Sequence, residues 1–308
     1  MKVLVAGSSG LVGSALLPHL ASRGHHPVRL VRGRAARGET EVAWDPDAGS
    51  IDSARLQGID AVVNLAGATI ARWPWTAAHK RRVLESRVRS TALLSRAISE
   101  LNPTPRAFVS ASGVGFYGDR GDEVLREDSG AGHDFLARVC VAWEAAAASA
   151  RNAGIRVVAP RIGMALSGAG GALGPLLIPF RLGLGGTIGS GRQYVSWIAL
   201  EDLVEVLGQA IAREDWSGPL NAVAPSPSTN AEFTKTVGRV LNRPTRLPLP
   251  AFAARLVLGE MADALLLASA RVEPARLLAS GFEFRFPTLE GALQNAVGTA
   301  PLPASRLG

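Results

Sequence analysis

Three glycines near the start of the 308-residue chain constrain its fold more than any other feature. Gly7, Gly10 and Gly13 follow an apolar run, Lys2–Ala6, and open a stretch of helical periodicity, Leu11–Arg23. This spacing is typical of a strand that turns tightly into a helix, where the second glycine leaves room for a diphosphate and the third allows close helix–strand packing. Because the free N–H groups of such a helix attract an anion, the motif predicts a dinucleotide-binding turn.

Strand and helix patterns alternate through the first 165 residues. Apolar strands separated by helices of ten residues or more predict a parallel sheet covered on both faces, and right-handed crossovers make that sheet doubly wound. The expected class is therefore α/β with a Rossmann-type sheet. The predicted strands are 2–6, 28–31, 41–44, 61–64, 107–110 and 157–160, and the predicted helices between them are 11–23, about 76–100 and about 135–152.

The character of the sequence changes after Arg161. Residues 163–191 are dense in glycine, which disfavours regular structure and suits loops close to a ligand, whereas residues from about 247 to 295 are rich in Leu and Ala and predict helices. We expect a Rossmann domain and a smaller, mostly helical substrate-binding lobe with a distinctive C-terminal domain. The Rossmann domain is assigned to 1–165, with 194–225 returning to it, and the lobe to 166–193 and 226–308.

The composition limits which metals, membranes, nucleic acids and protein partners this chain is expected to bind. Cys140 is the single cysteine and the five histidines show no ligand spacing with acids, so we expect neither a disulfide nor a metal site. No apolar run reaches about 18 residues and no signal peptide is evident, which predicts a cytoplasmic protein without a membrane partner. The net charge of +7 is dispersed, which favours attraction of an anionic cofactor over nucleic-acid binding. A homodimer is one open alternative for the assembly.

The end of the second predicted strand favours a phosphorylated cofactor. A site selective for NAD normally places an acid there to bond the ribose 2′-hydroxyl, but this chain has Arg32, followed by Gly33 and Arg34, and no carboxylate before Glu39. The planar guanidinium of Arg32 suits a 2′-phosphate. We therefore predict NADP(H), with an exposed strand-end charge as the alternative interpretation of Arg32.

Further cofactor contacts are predicted at the ends of later strands. Asp45 ends the third strand, where a carboxylate can accept from the adenine amine, and small residues after the fourth strand let a cofactor lie against the sheet edge. Arg87, on the long predicted helix, faces either the phosphates or solvent. The predicted cofactor-binding set is Gly7, Ser8, Ser9, Gly10, Leu11, Val12, Gly13, Arg32, Trp44, Asp45, Leu65, Ala66, Gly67, Arg87, Ser110, Ala111, Pro160, Arg161 and Ile162.

Several of these segments resemble the extended short-chain dehydrogenase/reductases, the family of nucleotide-sugar epimerases. That resemblance rests on residues 7–13, 64–67, 110–112 with 117–118, and 160–161. Nearly the whole chain resembles an atypical branch, the epimerase-family or "cell-division-inhibitor-like" oxidoreductases, which has a distinctive C-terminal domain. The closer resemblance is carried by residues 72–73, 86–88, 110–118, 143–144, 185–193, 197–198, 202, 259–262, 274–278 and 281–282.

The resemblance implies hydride transfer supported by a Tyr-x-x-x-Lys pair, yet it puts Leu136 and Cys140 at those two positions when Glu144 is taken as the family's landmark. A positioned acid or base contributes about 10²–10⁴-fold, so another group replaces the pair or the chemistry is lost. The predicted catalytic replacements are Ser112, which matches the family's catalytic serine, and Tyr117, a phenol beyond the strand end; for both, a packed structural role is the alternative.

The second glycine-rich loop supplies the predicted substrate-binding residues. Arg192 and Gln193 end this loop and Trp197 follows, a combination that suits an anionic or cyclic substrate, although a loop packed between domains is an equal alternative. The leading interpretation is an atypical NADP(H)-dependent oxidoreductase acting on an unidentified small molecule. A non-catalytic NADP(H)-binding regulator and an enzyme like the nucleotide-sugar epimerases are the competing hypotheses.

Overall fold

A computed structural model describes residues 1–33 and 36–298, so that Arg34 and the last ten residues of the predicted lobe lie outside the described residues. The strands are β1 (Lys2–Ala6), β2 (His26–Val31), β3 (Glu41–Asp45), β4 (Ser50–Ile51), β5 (Ala61–Asn64), β6 (Ala107–Ser110), β7 (Ser112–Gly113), β8 (Val124–Leu125), β9 (Arg156–Ile162), β10 (Met164–Leu166), β11 (Tyr194–Val195), β12 (Trp197–Ala199), β13 (Gly218–Ala222), β14 (Ser228–Thr229) and β15 (Arg271–Val272).

The helices are α1 (Leu11–Ser22), α2 (Ala77–Ser99), α3 (Phe135–Ala145), α4 (Ala148–Asn152), α5 (Leu173–Arg181), α6 (Leu200–Ala212), α7 (Asn230–Leu241), α8 (Ala251–Leu258), α9 (Glu260–Ala262), α10 (Ala275–Ala279) and α11 (Leu289–Val297). Short 3₁₀ turns occupy Ser53–Leu56 and Val114–Phe116, and a π-helical turn occupies Asp263–Leu267. Among the described residues, no helix combines the length and the apolar character that crossing a membrane requires.

The central sheet runs in the order β4-β3-β2-β1-β5-β6-β9-β13, with β7 added beside β9. Every pair in it is parallel except the short β3–β4 hairpin. The strand order reverses between β1 and β5, and ligands of such sheets bind outside the carboxyl ends of the strands at this switch point. The prediction of a doubly wound Rossmann-type sheet is confirmed.

Both faces of the sheet are buried, as its apolar strands predict. On β1, Val3 and Val5 pack with α1 and α6, whereas Leu4 and Ala6 pack with α2 and α4 on the opposite face. Because successive side chains of a strand point to opposite faces, an uninterrupted apolar run fits a sheet with helices on both sides. A third apolar cluster, centred on α5, α7 and α11, forms the interior of the rest of the chain.

Two predictions of secondary structure need correction. The glycine-rich region 163–191 contains a helix, α5, because Leu173, Leu177 and Phe180 recur on one face and are buried in the third cluster. The predicted helix over 135–152 is interrupted between Ala145 and Ala148, where α3 ends and α4 begins. In the first case packing of an apolar face outweighs the local glycine content, which is concentrated outside the helix itself.

Candidate cofactor and active site

The turn after β1 requires two of its three glycines for reasons internal to the chain. Gly7 has a φ of +74°, and a Cβ there would lie 2.7 Å from the backbone carbonyl carbon of Leu65. A Cβ on Gly13 would overlap the carbonyl oxygen of Gly7. Only glycine therefore allows β5 and α1 to approach the turn this closely.

Gly10 is different, because nothing in the chain demands a glycine at this position. Its φ of −78° suits any residue, and an added Cβ would meet only the carbonyl oxygen of Gly7, at 3.4 Å. Gly10 is the N-cap of α1, which carries no side-chain cap, so the first N–H groups of the helix point outward without an intrahelical partner. Open space above Gly10 and these free donors fit a diphosphate lying directly on the backbone.

The loop that follows β5 is fixed to α2 by side chains. The carboxamide of Asn64 accepts from the Ala66 amide at 3.1 Å and donates to the Thr91 hydroxyl at 2.8 Å. The Ala68 amide donates to the hydroxyl of Ser86 at 2.9 Å. The segment Leu65–Ala68 is thereby held alongside the glycine turn, and it forms the second edge of the switch-point cleft.

Arg87 lies beneath this loop instead of facing the cleft openly. Its Nη1 donates to the Ala68 carbonyl at 3.0 Å, its guanidinium stacks on Trp143 at 4.9 Å, and a Cβ on Gly67 would lie 3.0 Å from its Cζ. Trp143 in turn donates from Nε1 to the Thr91 hydroxyl at 3.0 Å. Burial lowers the pKa of Arg87. These contacts give Arg87 a positioning role under the loop, which replaces the predicted contact with phosphates.

The residues predicted to bind the cofactor at the ends of β2 and β3 differ in exposure and in hydrogen bonding. Arg32 is exposed directly after β2, beside the tip of β1, where the sequence predicts it. Trp44 is buried in the core, so its side chain is unavailable to a ligand, which corrects its assignment. Asp45 uses one carboxylate oxygen to accept from the amides of Asp47 and Ala48 at 2.9 and 3.2 Å, so that oxygen serves the β3–β4 turn.

The remaining predicted cofactor residues lie at or just after the carboxyl ends of β1, β5, β6 and β9, along one edge of the sheet. Ser9 is exposed, Ser8 is buried, and Ser110 is buried with a hydroxyl that has no hydrogen-bond partner among the described residues. Partly exposed positions are Leu11, Val12, Leu65, Ala66 and Ile162, and buried ones are Ala111 and Pro160.

A buried polar cluster sits behind this edge and is centred on Glu144 of α3. Ser112 donates from Oγ to Glu144 Oε1 at 2.7 Å, and Arg161 binds both carboxylate oxygens, at 2.9 and 3.0 Å. The side chain of Arg161 is 4% exposed and stacks on the ring of Phe116. Burial lowers the pKa of Arg161 while its bonds to Glu144 raise it, with a net upward direction. The guanidinium predicted to touch the cofactor is therefore engaged inside the protein.

Tyr117 belongs to the same cluster, which contradicts its predicted catalytic role. The phenol has no exposed surface; its oxygen accepts from Arg161 Nη1 at 3.0 Å and lies 2.7 Å from Asn221 Oδ1 and 2.9 Å from the Arg126 carbonyl. Burial raises the pKa of Tyr117, against the opposing effect of Arg161. A neutral phenol enclosed in this way cannot exchange a proton with a molecule in the cleft.

Leu136 and Cys140 line one face of α3 near the end of β7. The thiol of Cys140 is buried, donates to the Gly113 carbonyl at 3.6 Å, and has its pKa raised by burial to about 11. Leu136 packs against Gly115. Cys140 is therefore a neutral thiol at physiological pH and cannot replace a lysine by charge.

The three predicted substrate-binding residues are separated by the structure. Arg192 is exposed at the end of the glycine-rich loop. Gln193 is buried and donates from Nε2 to the carbonyls of Ile188 and Leu266 at 2.9 and 3.0 Å, and Trp197 is 1% exposed within the third cluster. Gln193 and Trp197 stabilise the interior, which corrects their assignment and leaves Arg192 as the accessible member.

The residue that the sequence analysis missed is Glu144, which it used only as a landmark. A carboxylate on an apolar helix and an arginine inside an apolar strand, here α3 and β9, both need a partner when buried. The sequence signal that could have revealed this ion pair is that Glu144 and Arg161 are isolated charges in otherwise apolar elements. Across the described residues, no group of three or more His, Cys, Asp or Glu side chains is arranged to hold a metal ion.

Comparison with known proteins agrees with this geometry. A sequence model of the NAD dependent epimerase/dehydratase family matches residues 3–221, well over half of the chain. The chain belongs to this family. A second model, a domain of unknown function (DUF1731), matches residues 249–296, which identifies the distinctive C-terminal domain of this epimerase-family chain.

The similarity to individual relatives extends over almost the whole of this chain. The epimerase family protein Mb2239 of Mycobacterium bovis is 46% identical over 291 residues, which span 94% of this chain and 96% of that protein. The crystal structure of human epimerase family protein SDR39U1 (isoform 2) with NADPH has a TM-score of 0.87 at 38% identity and covers 97% of this chain and 99% of that chain. The predicted family is confirmed, and the structure of this human relative contains NADPH, the cofactor predicted for this chain.

A more distant structure shows the fold alone. UDP-glucuronic acid 4-epimerase from Bacillus cereus in complex with NAD has a TM-score of 0.76 at 14% identity, covering 97% of this chain and 96% of that chain. The shared architecture therefore extends well beyond the epimerase-family relatives, whereas substrate does not follow from fold.

Proposed function

We propose that this epimerase-family protein is an NADP(H)-dependent oxidoreductase that acts on a small carbonyl or hydroxyl compound. The observation that carries the proposal is the backbone at Gly10, which leaves space and free N–H donors for a diphosphate at the switch point of the sheet. When bound, the dinucleotide supplies or accepts a hydride. The ends of β5 and β6, with Ser112 behind them, lie on the side of the switch point away from Arg32.

The choice of the phosphorylated dinucleotide is assigned to Arg32. Its exposed guanidinium follows β2, the strand adjacent to β1, at the distance of one strand from the glycine turn. A guanidinium can bind two phosphate oxygens through its planar fork. The crystal structure of the human relative contains NADPH, which supports the same choice for this chain.

Substituting Arg32→Gln is expected to weaken NADPH binding about 10- to 150-fold while NADH binding changes little. The reason is that a hydrogen bond to a charged group contributes about 1.5–3 kcal/mol, and only NADPH carries the 2′-phosphate. Isothermal titration calorimetry with both dinucleotides measures the two affinities. Arg96→Gln, at an exposed arginine near the end of α2, is the matched control and should leave both unchanged. Equal losses for NADPH and NADH in the Arg32 variant contradict the assignment.

Proton handling is proposed for the Ser112–Glu144 pair, because Ser112 lies on β7 at the carboxyl edge of the sheet, whereas the Tyr117 hydroxyl is occupied by three partners and the Cys140 thiol stays protonated. The Ser112 hydroxyl donates to Glu144, so its lone pairs remain available to accept from a substrate hydroxyl. When an alcohol is oxidised, the proton leaving that hydroxyl would pass to Ser112 Oγ as the serine proton passes to Glu144 Oε1. When NADPH reduces a carbonyl, Ser112 would donate its proton to the developing alkoxide and regain one from solvent through Glu144, whose side chain is 15% exposed. Arg161 holds the carboxylate in the required orientation by binding both of its oxygens.

The Ser112→Ala variant is expected to lower the rate of NADPH oxidation about 10²-fold without changing NADPH affinity. The substitution removes the only link between substrate and Glu144 in this proposal, and loss of one positioned hydrogen-bonding group at a reacting oxygen costs about that much. The absorbance of NADPH is followed with a panel of carbonyl compounds, using the compound that the parent protein reduces fastest.

The control for this experiment is Ser99→Ala, at an exposed hydroxyl near the end of α2. An unchanged rate for Ser112→Ala would remove the relay from the proposal. If the parent protein binds NADPH but none of the carbonyl compounds leads to its oxidation, the result would instead favour the non-catalytic regulator.

The cytoplasmic location, the homodimer and the domain boundary at residue 165 stay predictions.

A further inference from the structure

An unusual amount of apolar side chain is exposed on one part of the substrate lobe. Leu182 at the end of α5 is 69% exposed, and Phe252 and Leu256, one turn apart on α8, are 72% and 85% exposed. Soluble monomers rarely carry contiguous apolar patches of this kind unless the patch binds something. The full set, which we call the apolar face, is Ile178, Leu182, Leu184, Leu247, Leu249, Phe252 and Leu256.

Backbone contacts join the segments that carry the apolar face into one surface. The Leu247 amide donates to the Gly185 carbonyl at 3.4 Å, and the Leu249 amide donates to the Thr187 carbonyl at 2.9 Å. The segment after α5 therefore runs beside the segment that leads into α8. Ile178 and Leu182 share one side of α5, as Phe252 and Leu256 share one side of α8, because residues four apart face the same way.

Cations outnumber anions on the elements that carry this surface. Residues 173–187 and 233–258 contain six Lys or Arg residues and no Asp or Glu. The nearest acids along the chain are already engaged, because Glu232 caps α7 at Thr229 and Glu260 pairs with Lys80. Arg239 and Arg255 are paired with Glu290 and Asp263 from other segments. The four others have no carboxylate within 4 Å among the described residues, and they are Arg181, Lys235, Arg243 and Arg246.

Three of these cations border a concave surface. The chain after α7 folds back over Gly238, where an added Cβ would lie 2.9 Å from the Arg243 carbonyl. The resulting cavity of about 540 Å³, the basic groove, is lined by Lys235, Gly238, Arg239, Asn242, Arg243, Pro244, Thr245 and Arg246. Arg243 donates from Nε to the carbonyl of Arg181, which places the basic groove directly beside the end of α5 and the apolar face.

We propose that the apolar face and the basic groove together dock this protein on the surface of an anionic phospholipid membrane. Phe252, Leu256 and Leu182 would enter the boundary between headgroups and acyl chains, while Arg243 and Arg246 would meet lipid phosphates. Apolar burial combined with attraction of Lys and Arg to anionic lipid is what holds interfacial helices on membranes. The chain would lie on the membrane without crossing it, and this proposal departs from the expectation of no membrane partner.

Charge distinguishes this occupant from a second copy of the chain. In a symmetric dimer each subunit contributes the same patch, so the interface would collect from each subunit the four cations that have no carboxylate partner among the described residues. Like charges brought together in this way oppose association. An anionic lipid surface neutralises all four and accepts the apolar side chains at the same time. The docking surface includes no residue that we assign to the cofactor or to Ser112, so the proposal stands apart from the proposed function.

The test is flotation of the full chain with vesicles of phosphatidylcholine containing about one third phosphatidylglycerol, compared with vesicles of phosphatidylcholine alone. We expect binding to the anionic vesicles and little to the neutral ones. Phe252→Ser/Leu256→Ser is expected to weaken binding at least about tenfold. Arg243→Gln/Arg246→Gln should weaken it as well and remove most of its sensitivity to salt.

Matched controls keep the result interpretable. Leu278→Ser, at a leucine of α10 that is 51% exposed, and Arg96→Gln should bind as the parent does. NADPH affinity should be the same in every variant, which excludes misfolding as the cause of a loss. The proposal is overturned by absence of binding to anionic vesicles, by equal binding of the Phe252/Leu256 variant, by an oligomer in sedimentation that this variant dissociates, or by capture of an acidic peptide or DNA in preference to vesicles.

Discussion

Gly10→Val is expected to abolish NADPH binding, with a loss of about 10³-fold or more, while the protein stays folded. A valine side chain would occupy the space above the turn and separate a diphosphate from the N–H groups of α1, and two hydrogen bonds to a charged group are together worth about this factor. Within the chain the new side chain has room, since a Cβ at Gly10 meets only one backbone oxygen, at 3.4 Å. Calorimetry with NADPH and thermal unfolding measure the two properties separately.

Gly13, three residues later in the same turn, serves as the contrast, because its substitution is expected to affect stability more than Gly10→Val does. Gly13→Ala forces its Cβ into the Gly7 carbonyl oxygen, so we expect a loss of about 1–3 kcal/mol of unfolding free energy. Gly10→Val should cost only about 1 kcal/mol, the usual penalty for a poor N-cap. Full NADPH affinity in the Gly10 variant would refute the cofactor site and, with it, the proposed oxidoreductase.

Arg161→Met is expected to lower the free energy of unfolding by about 3–5 kcal/mol. The substitution leaves the Glu144 carboxylate, whose side chain is 15% exposed, without its bidentate partner, and breaking a largely buried ion pair from one side has about this cost. The hydrogen bonds from Arg161 to the Tyr117 phenol and the Glu127 carbonyl are lost as well. Urea denaturation followed by circular dichroism gives the value.

Two further variants separate charge from packing in that experiment. Arg161→Met combined with Glu144→Leu should recover part of the loss, because no unpaired charge is left buried. Arg239→Met breaks an ion pair with Glu290 whose side chains are 60% and 48% exposed, and it should cost less than about 1 kcal/mol. A loss of that small size for Arg161→Met as well would show that the polar cluster does not stabilise the fold.

Much of the fold could be predicted because its signals are local. The apolar runs of β1 and β5, the three glycines and the position of Arg32 after β2 follow from neighbouring residues, and the structure shows each where the pattern predicts it. The exception is α5. The sequence prediction gave more weight to the glycine content of this region than to its short apolar periodicity, and so expected a loop where the structure has a helix. Its helical form depends on the third cluster, whose members come from distant parts of the chain.

The candidate site was less predictable because its decisive contacts are long-range. Tyr117 follows a strand end, which suggests access to the cleft, yet its hydroxyl meets Asn221, from a strand more than one hundred residues later. Gln193 follows a glycine-rich loop, yet its side-chain amide donates to the backbone carbonyl of Leu266 in the C-terminal domain. A polar side chain at a loop carries the same sequence signal whether it faces a ligand or closes the interior.

The hydroxyl of Thr91 accepts hydrogen bonds from both Asn64 and Trp143, so one atom of α2 joins the edge of β5 to the helix that carries Leu136 and Cys140. Neither element can be displaced without disturbing the other. We therefore expect a ligand that shifts α3 to alter the affinity for the dinucleotide, and by thermodynamic reciprocity the dinucleotide would alter the affinity for that ligand by the same factor.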